Sequence, residues 1–415
     1  MSSTTTSDHT ARLTGRTVPA SGPGTATDAV PLAPDPTRVA DAYRMVVMQP
    51  TTFCNLDCRY CYLALRGERL EMPPGVAAAV AADIAVQDDS AQVTVLWHGG
   101  EPTALSPARF RQLLEPFEEL RSTGRVRHSV QTNATLITDE WCELFRTYGF
   151  SVGVSLDGPP DTTTERVNRA GRPAHQQIMA GVRRLQAAGL ALSVIAVITP
   201  ETVHRGTEII EFLHGAGFDR IGFNLEEREG VNEDRPMVGQ AAARRFWREI
   251  ITYCRQTATP PKIRELGTLS RYLDGGNVPV RDVLPTVTHN GDIVLLSPEL
   301  TNLTVPEHDD FVVGNILTTP IQDILTRHHT IPYVAAFERG LTACKANCPF
   351  WSLCYGGYAS NRFCETGRFD VTETAHCRGS RQAVVHAALD VADPDADRDL
   401  VAVLSPHTHR PGDAA

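Results

Sequence analysis

Met45-Val46-Val47-Met48-Gln49-Pro50-Thr51-Thr52-Phe53-Cys54-Asn55-Leu56-Asp57-Cys58-Arg59-Tyr60-Cys61-Tyr62 opens the informative part of the chain. A short β-branched run ends at a turn, and three cysteines follow with three and then two residues between them. Five more such runs appear at Val93–Trp97, His128–Gln131, Ser151–Ser155, Leu192–Thr199 and Arg220–Asn224. Each precedes a stretch with helical spacing of apolar residues, as in Gln176–Ala188 and Thr207–His214. Strand–helix units repeated six times predict a parallel sheet with crossovers of one hand. The expected class is α/β, a partial (β/α)6 barrel with its chemistry at the C-terminal ends of the strands. From Thr257 the rhythm is lost and a second, irregular, cysteine-rich domain is expected.

Composition narrows the function. The chain has 415 residues, 42% hydrophobic and 21% charged, enough to bury a sizeable core. Its net charge of −10, without a basic block, argues against nucleic-acid binding. The N-terminus lacks the basic start and apolar stretch of a signal peptide. The apolar run around Gly75–Val86 contains Asp83 and is too short to span a bilayer, so no membrane partner is expected. A soluble, cytoplasmic protein is predicted. Residues 1–41 hold no aromatic side chain and are rich in Ser, Thr, Pro, Gly and Ala, which predicts a disordered tail. The last two dozen residues read similarly.

Ten cysteines in a reducing compartment point to metal or redox chemistry rather than disulfides. Cys142 and Cys254 stand alone on helical patterns and read as small buried hydrophobes. The other eight fall in two clusters. Three thiolates on one tight loop suit a [4Fe–4S] cubane with one iron left open. Zinc with a distant fourth ligand, or three core thiols, remain the alternatives.

The Cys54-x3-Cys58-x2-Cys61 run, with the aromatic Tyr60 before its last cysteine, resembles the signature of the radical S-adenosylmethionine (SAM) superfamily. Trp97-His98-Gly99-Gly100-Glu101-Pro102 after the second strand is similar to that family's Gly-Gly-Glu-Pro motif. Gln131-Thr132-Asn133 and Ser155-Leu156-Asp157-Gly158-Pro159 follow the third and fourth. The resemblance implies a TIM-like partial barrel in which Cys54, Cys58 and Cys61 hold the cluster. It also implies that Tyr60, Gly99, Gly100, Glu101, Pro102, Gln131, Asn133, Ser155, Asp157 and Arg166 bind SAM. The two glycines would let the backbone approach the methionine amino group, and Glu101 would accept from it. Asn133 or Ser155 would hold the carboxylate or ribose, with strand-end capping as the plainer alternative. Arg166 would contact the carboxylate, with Arg169 as its rival. The Asn-x-Thr matches at Asn133 and Asn302 read as chance.

The second cluster runs from Cys344-Lys345-Ala346-Asn347-Cys348 through Cys354 and Cys364 to His376-Cys377-Arg378. Its order resembles the SPASM extension of peptide-modifying radical SAM enzymes, which often carries two auxiliary [4Fe–4S] clusters. Here the upstream hairpin, Thr286 to Leu296, holds no cysteine, and Tyr358 occupies another ligand position. One auxiliary cluster is therefore expected, on Cys344, Cys348, Cys354 and Cys377, with Cys364 a spare thiol and zinc the alternative metal. The resulting boundaries are a tail over 1–41, the barrel over 42–256 and a bridging region over 257–340. A SPASM-like domain over 341–380 and a C-terminal helix and tail over 381–415 complete the chain.

Asn361-Arg362-Phe363-Cys364-Glu365-Thr366-Gly367, with Thr372-Glu373-Thr374, resembles enzymes that cross-link ribosomal peptides. The implied activity is hydrogen abstraction by a 5′-deoxyadenosyl radical and oxidative C–C bond formation, cyclophane-like, in a precursor peptide. Epimerisation, thioether or ether formation, and a small-molecule substrate stay open. Sulfatase maturation is least favoured, because Leu296-Ser297 replaces an Asp beside a cysteine. Glu299 is the expected base, with Glu226, Glu227 and Asp292 as alternatives. The implied partners are the small precursor peptide, a flavodoxin- or ferredoxin-type one-electron reductant, and a separate peptide-recognition protein if the barrel does not bind the peptide directly.

Overall fold

The computed structural model describes residues 35–87, 91–273 and 283–392. Of the tail expected over 1–41, residues 1–34 lie outside the described residues, but 35–41 are packed on the fold: Thr37 and Val39 are buried, and Val39 N–H donates to Glu338 Oε1 at 3.0 Å. The C-terminal stretch 393–415 also lies outside the described residues.

Six strands, β1 (Met45–Met48), β2 (Val93–Trp97), β3 (Val126–Thr132), β4 (Ser151–Ser155), β5 (Leu192–Ile198) and β6 (Arg220–Leu225), pair in parallel in chain order. Helices Pro74–Ala85, Pro107–Leu114, Asp139–Thr147, His175–Ala187 and Gly206–Gly215 return the chain between them, and Gln240–Gln256 follows β6. Local chemistry starts several of these. Ser106 accepts from the Arg109 N–H with Pro107 at the first helical position, and Thr138 accepts from the Trp141 N–H.

Period-2 alternation is clear in β3 and β5, while β1, β2, β4 and β6 bury three residues in a row. Along β5, Leu192, Val194, Ala196 and Ile198 are buried under the helices, while Ile195 and Val197 face the lumen. Trp97, Phe110, Phe117 and Phe145 are fully buried in the sheet–helix layer. Each contributes about 1.5–3 kcal/mol by leaving water. Cys142 and Cys254 are buried here too, as expected of isolated cysteines.

The sheet continues beyond the six strands at both edges. β7 (Lys262–Ile263) extends it parallel to β6. At the other edge β8 (Thr286–Val287) pairs in parallel with β1, then antiparallel with β9 (Asp292–Val294), which meets β10 (Val312–Asn315). The order is β10-β9-β8-β1-β2-β3-β4-β5-β6-β7. The stretch after Thr257 is thus partly built into the barrel sheet. Its strands of two to four residues are too short to carry a periodic signal.

In the second cysteine group, Cys344 lies on the helix Pro332–Asn347 with Cys348 at its C-cap, and Cys354 ends the short helix Trp351–Cys354. Cys364 lies on Ala359–Thr366, and Cys377 opens a π-helical turn at Cys377–Gln382. That turn runs into the helix Ala383–Val391, which packs on Gln240–Gln256 and pairs Asp390 with Arg244. No helix among the described residues is long and apolar enough to cross a membrane.

Candidate active site

The three-cysteine segment leaves the end of β1 and folds back on itself. The N–H groups of Thr52, Cys54 and Met72 donate to the carbonyls of Leu70, Arg66 and Pro50 at 2.9–3.0 Å. A second side is clamped from after β4, with Asp57 N–H donating to the Val167 carbonyl at 2.7 Å and Arg59 N–H to Glu165 at 3.0 Å. Below it lies Gly100, at φ +61°, where a Cβ would meet the Thr51 carbonyl at 2.5 Å and the Phe53 carbonyl at 2.6 Å. The chain fills that space, so Gly100 seats the cysteine loop on the end of β2, and Gly99 packs against Gln49. Gly100 also lines the cleft beside the cysteines.

Glu101 is buried and already well supplied. Oε1 accepts from Thr103 N–H at 2.9 Å, Thr103 Oγ1 at 2.5 Å and Thr132 Oγ1 at 2.7 Å, and Oε2 from Asn133 N–H at 2.7 Å. It ties the end of β2 to the end of β3, and only Oε2 keeps capacity for a ligand's ammonium. Pro102 begins the turn beside it. Asn133 lies by the first cysteine, its Nδ2 donating to Asn55 Oδ1 at 3.0 Å and reaching Cys54 Sγ at 3.7 Å. Gln131 donates to Ser155 Oγ at 2.8 Å on the lumen side.

Asp157 is the centre of a buried network. It accepts from Tyr60 Oη at 2.5 Å, Arg166 Nη2 at 2.9 Å and Val197 N–H at 2.8 Å. Asp157 and Tyr60 thus orient Arg166, whose Nε is buried without a partner and which lines the cleft. Burial works against the Arg166 charge, but Asp157 outweighs it and holds the cation firmly. Arg169 instead donates to the Cys54 carbonyl at 2.8 and 3.0 Å. The geometry separates the two arginines: Arg166 lines the cleft and Arg169 staples the loop.

Cys54, Cys58 and Cys61 line a cleft of about 360 Å³ with Gly100, Glu101, Gln131, Asn133, Ser155 and Arg166. Burial pushes the Cys58 thiol up to about 11, opposed by Arg166, and raises Cys54 and Cys61 likewise. The cleft continues past Tyr62 and His98, bonded Oη to Nε2 at 2.8 Å, to Glu226, Glu227, Glu229 and Glu299. Burial holds His98 near 4, so the ring is neutral. Glu226 is paired with Arg235 and Glu227 with His376 Nδ1 at 2.9 Å. Glu229 accepts from Ser360 Oγ at 2.7 Å and Asn361 Nδ2 at 2.9 Å, and Ser297 donates to Glu299. Burial, then Glu227 and Glu299, push Glu229 well above the carboxylate range. Glu299 is raised by burial and Glu227 against the opposing Ser297 hydrogen bond. Asp292 is held at the hairpin turn by Asn290 and Asn315, away from the cleft lining.

Cys344, Cys348, Cys354 and Cys377 line one cavity with Arg362 and His376. Cys364 is not among its walls and lies by Gly230, where burial pushes its thiol up to about 12. Among the described residues no three His, Cys, Asp or Glu converge on a point, as a mononuclear metal site requires. The thiols instead line two spaces, Cys54, Cys58 and Cys61 the cleft and Cys344, Cys348, Cys354 and Cys377 the cavity beside Arg362. Tyr62 and His98 stand directly beside the cysteine and glycine motifs without a signal of their own, and Glu229 is the third carboxylate of an ordinary surface-like run, Glu226-Glu227-Arg228-Glu229.

Residues 48–213 match the Radical SAM superfamily. An uncharacterized protein of Synechocystis is 31% identical over 361 residues, 83% of this chain and 91% of the relative. The chain therefore belongs to the radical SAM superfamily, and it is a SAM-dependent enzyme whose family implies a [4Fe–4S] cluster. A serine-type anaerobic sulfatase-maturating enzyme of Bacteroides thetaiotaomicron is 34% identical, but over 37% of this chain and 39% of that one. In fold, the chain resembles anSMEcpe with bound AdoMet and Cp18Cys peptide, with a TM-score of 0.69 at 19% identity over 87% of this chain and 99% of that one. It also resembles Streptococcus suis SuiB bound to precursor peptide SuiA, with a TM-score of 0.60 at 20% identity over 80% and 75%. The site fits the family's cofactors: three thiols line the cleft, together with a buried guanidinium whose Nε–H has no partner and could serve a carboxylate.

Proposed function

We propose that this enzyme matures a ribosomally made precursor peptide by forming an oxidative cross-link within it. The observation that carries the reading is one continuous path. The cleft from Cys54, Cys58 and Cys61 reaches Glu227, Glu229 and Glu299, and these also line an adjoining space of about 230 Å³ with Tyr358, His376 and Arg381. Those last three line the cavity of Cys344, Cys348, Cys354 and Cys377. When bound, the first cluster and SAM supply a 5′-deoxyadenosyl radical that takes a hydrogen atom from an unactivated carbon.

The chain's own residues do the rest. Arg166, held by Asp157 and Tyr60, anchors the SAM carboxylate, with the free lone pair of Glu101 Oε2 for the ammonium and the Gln131–Ser155 pair on the ribose side. Ile195 and Val197 keep water from the reacting carbon. Glu299 and Glu229, both lifted by burial, accept the proton lost when the new bond forms. Cys344, Cys348, Cys354 and Cys377 would hold a second cluster, which would supply an electron acceptor. Fold likeness to proteins solved with bound peptides supports a peptide substrate.

The test is mass spectrometry of a small peptide encoded beside this gene after anaerobic co-expression. The expected product is lighter by two hydrogens, absent with a Cys58→Ala variant, and resistant to fragmentation between the joined residues. Oxidation of a serine to an aldehyde would lose the same mass, a second reading that the sulfatase-maturating relatives favour. Hydrazide capture of the product would establish that reading and sink the cross-link. A mass-neutral product exchanging deuterium at Cα would instead identify an epimerase.

A further inference from the structure

Arg362 belongs to the Asn361-Arg362-Phe363-Cys364 motif, and the path described above gives it no role. Its side chain is 2% exposed. Nη1 donates to the Phe369 carbonyl at 3.1 Å, and Nη2 donates to the Gly356 carbonyl at 2.8 Å and to Cys344 Sγ at 3.2 Å. The guanidinium lies 5.0 Å from the Phe337 ring centre. Space for it is cut into the helix Pro332–Asn347 at Gly340, where a Cβ would stand 2.0 Å from Nη1. Among the described residues no carboxylate pairs with Arg362. A guanidinium stays charged in proteins, and an isolated buried charge is strongly unfavourable without an opposite one. The groups placed to supply it are the sulfurs of the cavity, Cys344 in direct contact and Cys354 and Cys377 around it.

We propose that Arg362 is the built-in counter-charge of an auxiliary iron–sulfur cluster on Cys344, Cys348, Cys354 and Cys377, and that it sets that cluster's reduction potential high enough to accept an electron from the peptide. This rests on the auxiliary-cluster reading given above. The physical reason is that potentials rise with positive charge and with N–H donors on the ligating sulfurs, and Arg362 brings both to Cys344. Arg362 is a positioning residue that touches no substrate. The electron count closes. The peptide would lose one hydrogen atom to the 5′-deoxyadenosyl radical, giving 5′-deoxyadenosine, then one electron to the auxiliary cluster and one proton to a cleft carboxylate as the bond forms. The electron consumed in cleaving SAM comes separately from the external one-electron reductant.

The experiment is redox titration, followed by electron paramagnetic resonance, of the full-length enzyme purified anaerobically as wild type, Arg362→Gln and Arg362→Lys. Iron, sulfide and zinc are counted in each. Added SAM perturbs the signal of the open-iron cluster alone, which separates the two. The expected result is about eight iron per wild-type chain on the count of two four-iron clusters. The auxiliary potential should fall in the Gln variant by at least the 59 mV that marks a tenfold change for one electron, with the Lys variant closer to wild type. Equal potentials in wild type and Gln, at full iron, overturn the role of Arg362. About four iron, or zinc, in the wild type overturns the auxiliary cluster beneath it, a different failure. Should the Gln variant lose its auxiliary iron, retention by Lys supports the counter-charge and loss by both overturns it.

Discussion

Glu229 and Glu299 hold two carboxyl groups against one wall of the cleft with no ion pair to either among the described residues, while the neighbouring Glu227 pairs with His376. Both are raised above 4.5, Glu229 the further. A folded carboxyl with a raised pKa binds its proton more tightly than the unfolded chain does. Its contribution to stability is therefore complete below about pH 4.5 and is lost as pH climbs through the folded value. Glu229→Gln or Glu299→Gln should thus gain melting temperature over wild type progressively above pH 4.5, with no gain at pH 4. Cross-linking by Glu299→Gln should fall on the order of 10²- to 10⁴-fold while SAM cleavage persists. Full turnover by that variant would remove Glu299 as the base. Isolated residues of this kind were only half legible in the sequence. Glu299 stood near a recognisable hairpin, but Glu229 became a partner only because Ser360 and Asn361, some 130 residues away, close over it.

At the level of elements, the cysteine loop is a passenger of the strand ends beneath it. Gly100 shows this most directly, since a methyl group there would drive into the backbone of Thr51 and Phe53. Gly100→Ala should lose the iron of the first cluster and keep that of the second, roughly half the total by iron assay; full iron would show that the loop can shift without it. The six parallel strands were legible because each is four to seven residues of β-branched or apolar character before an amphipathic helix. Ser151–Ser155 and Val93–Trp97 came out with the expected bounds, whereas β3 is longer by two residues at its start, where Val126 and Arg127 look like loop chemistry. The glycine motif was found by its order in the chain. Its physical meaning was not, because contact between Gly100 and the residues at 51–53 is a product of the fold.

Across the whole molecule, the cysteine-rich module meets the barrel mouth through polar groups rather than a greasy seam. Asn361, 2% exposed, donates to Glu227 and Glu229, Ser360 donates to Glu229, and His376 pairs with Glu227. Asn361→Leu removes one of two partners from each of Glu227 and Glu229, at a cost of about 1 kcal/mol each. Both clusters should remain, but 5′-deoxyadenosine should form in at least tenfold excess over cross-linked peptide; a one-to-one ratio would deny the junction a part in coupling. The extension of the sheet past β1 has another consequence, in time rather than space. Val47 pairs with Thr286, so the inner edge of the first strand finds its partner roughly 240 residues later. At about 5–20 residues per second, a ribosome takes on the order of ten to fifty seconds to deliver it. Through that interval the nascent barrel carries an unpaired strand edge beside three uncoordinated thiols, and its maturation in the cell is a race between the arrival of the hairpin and the arrival of anything else able to pair or oxidise that edge.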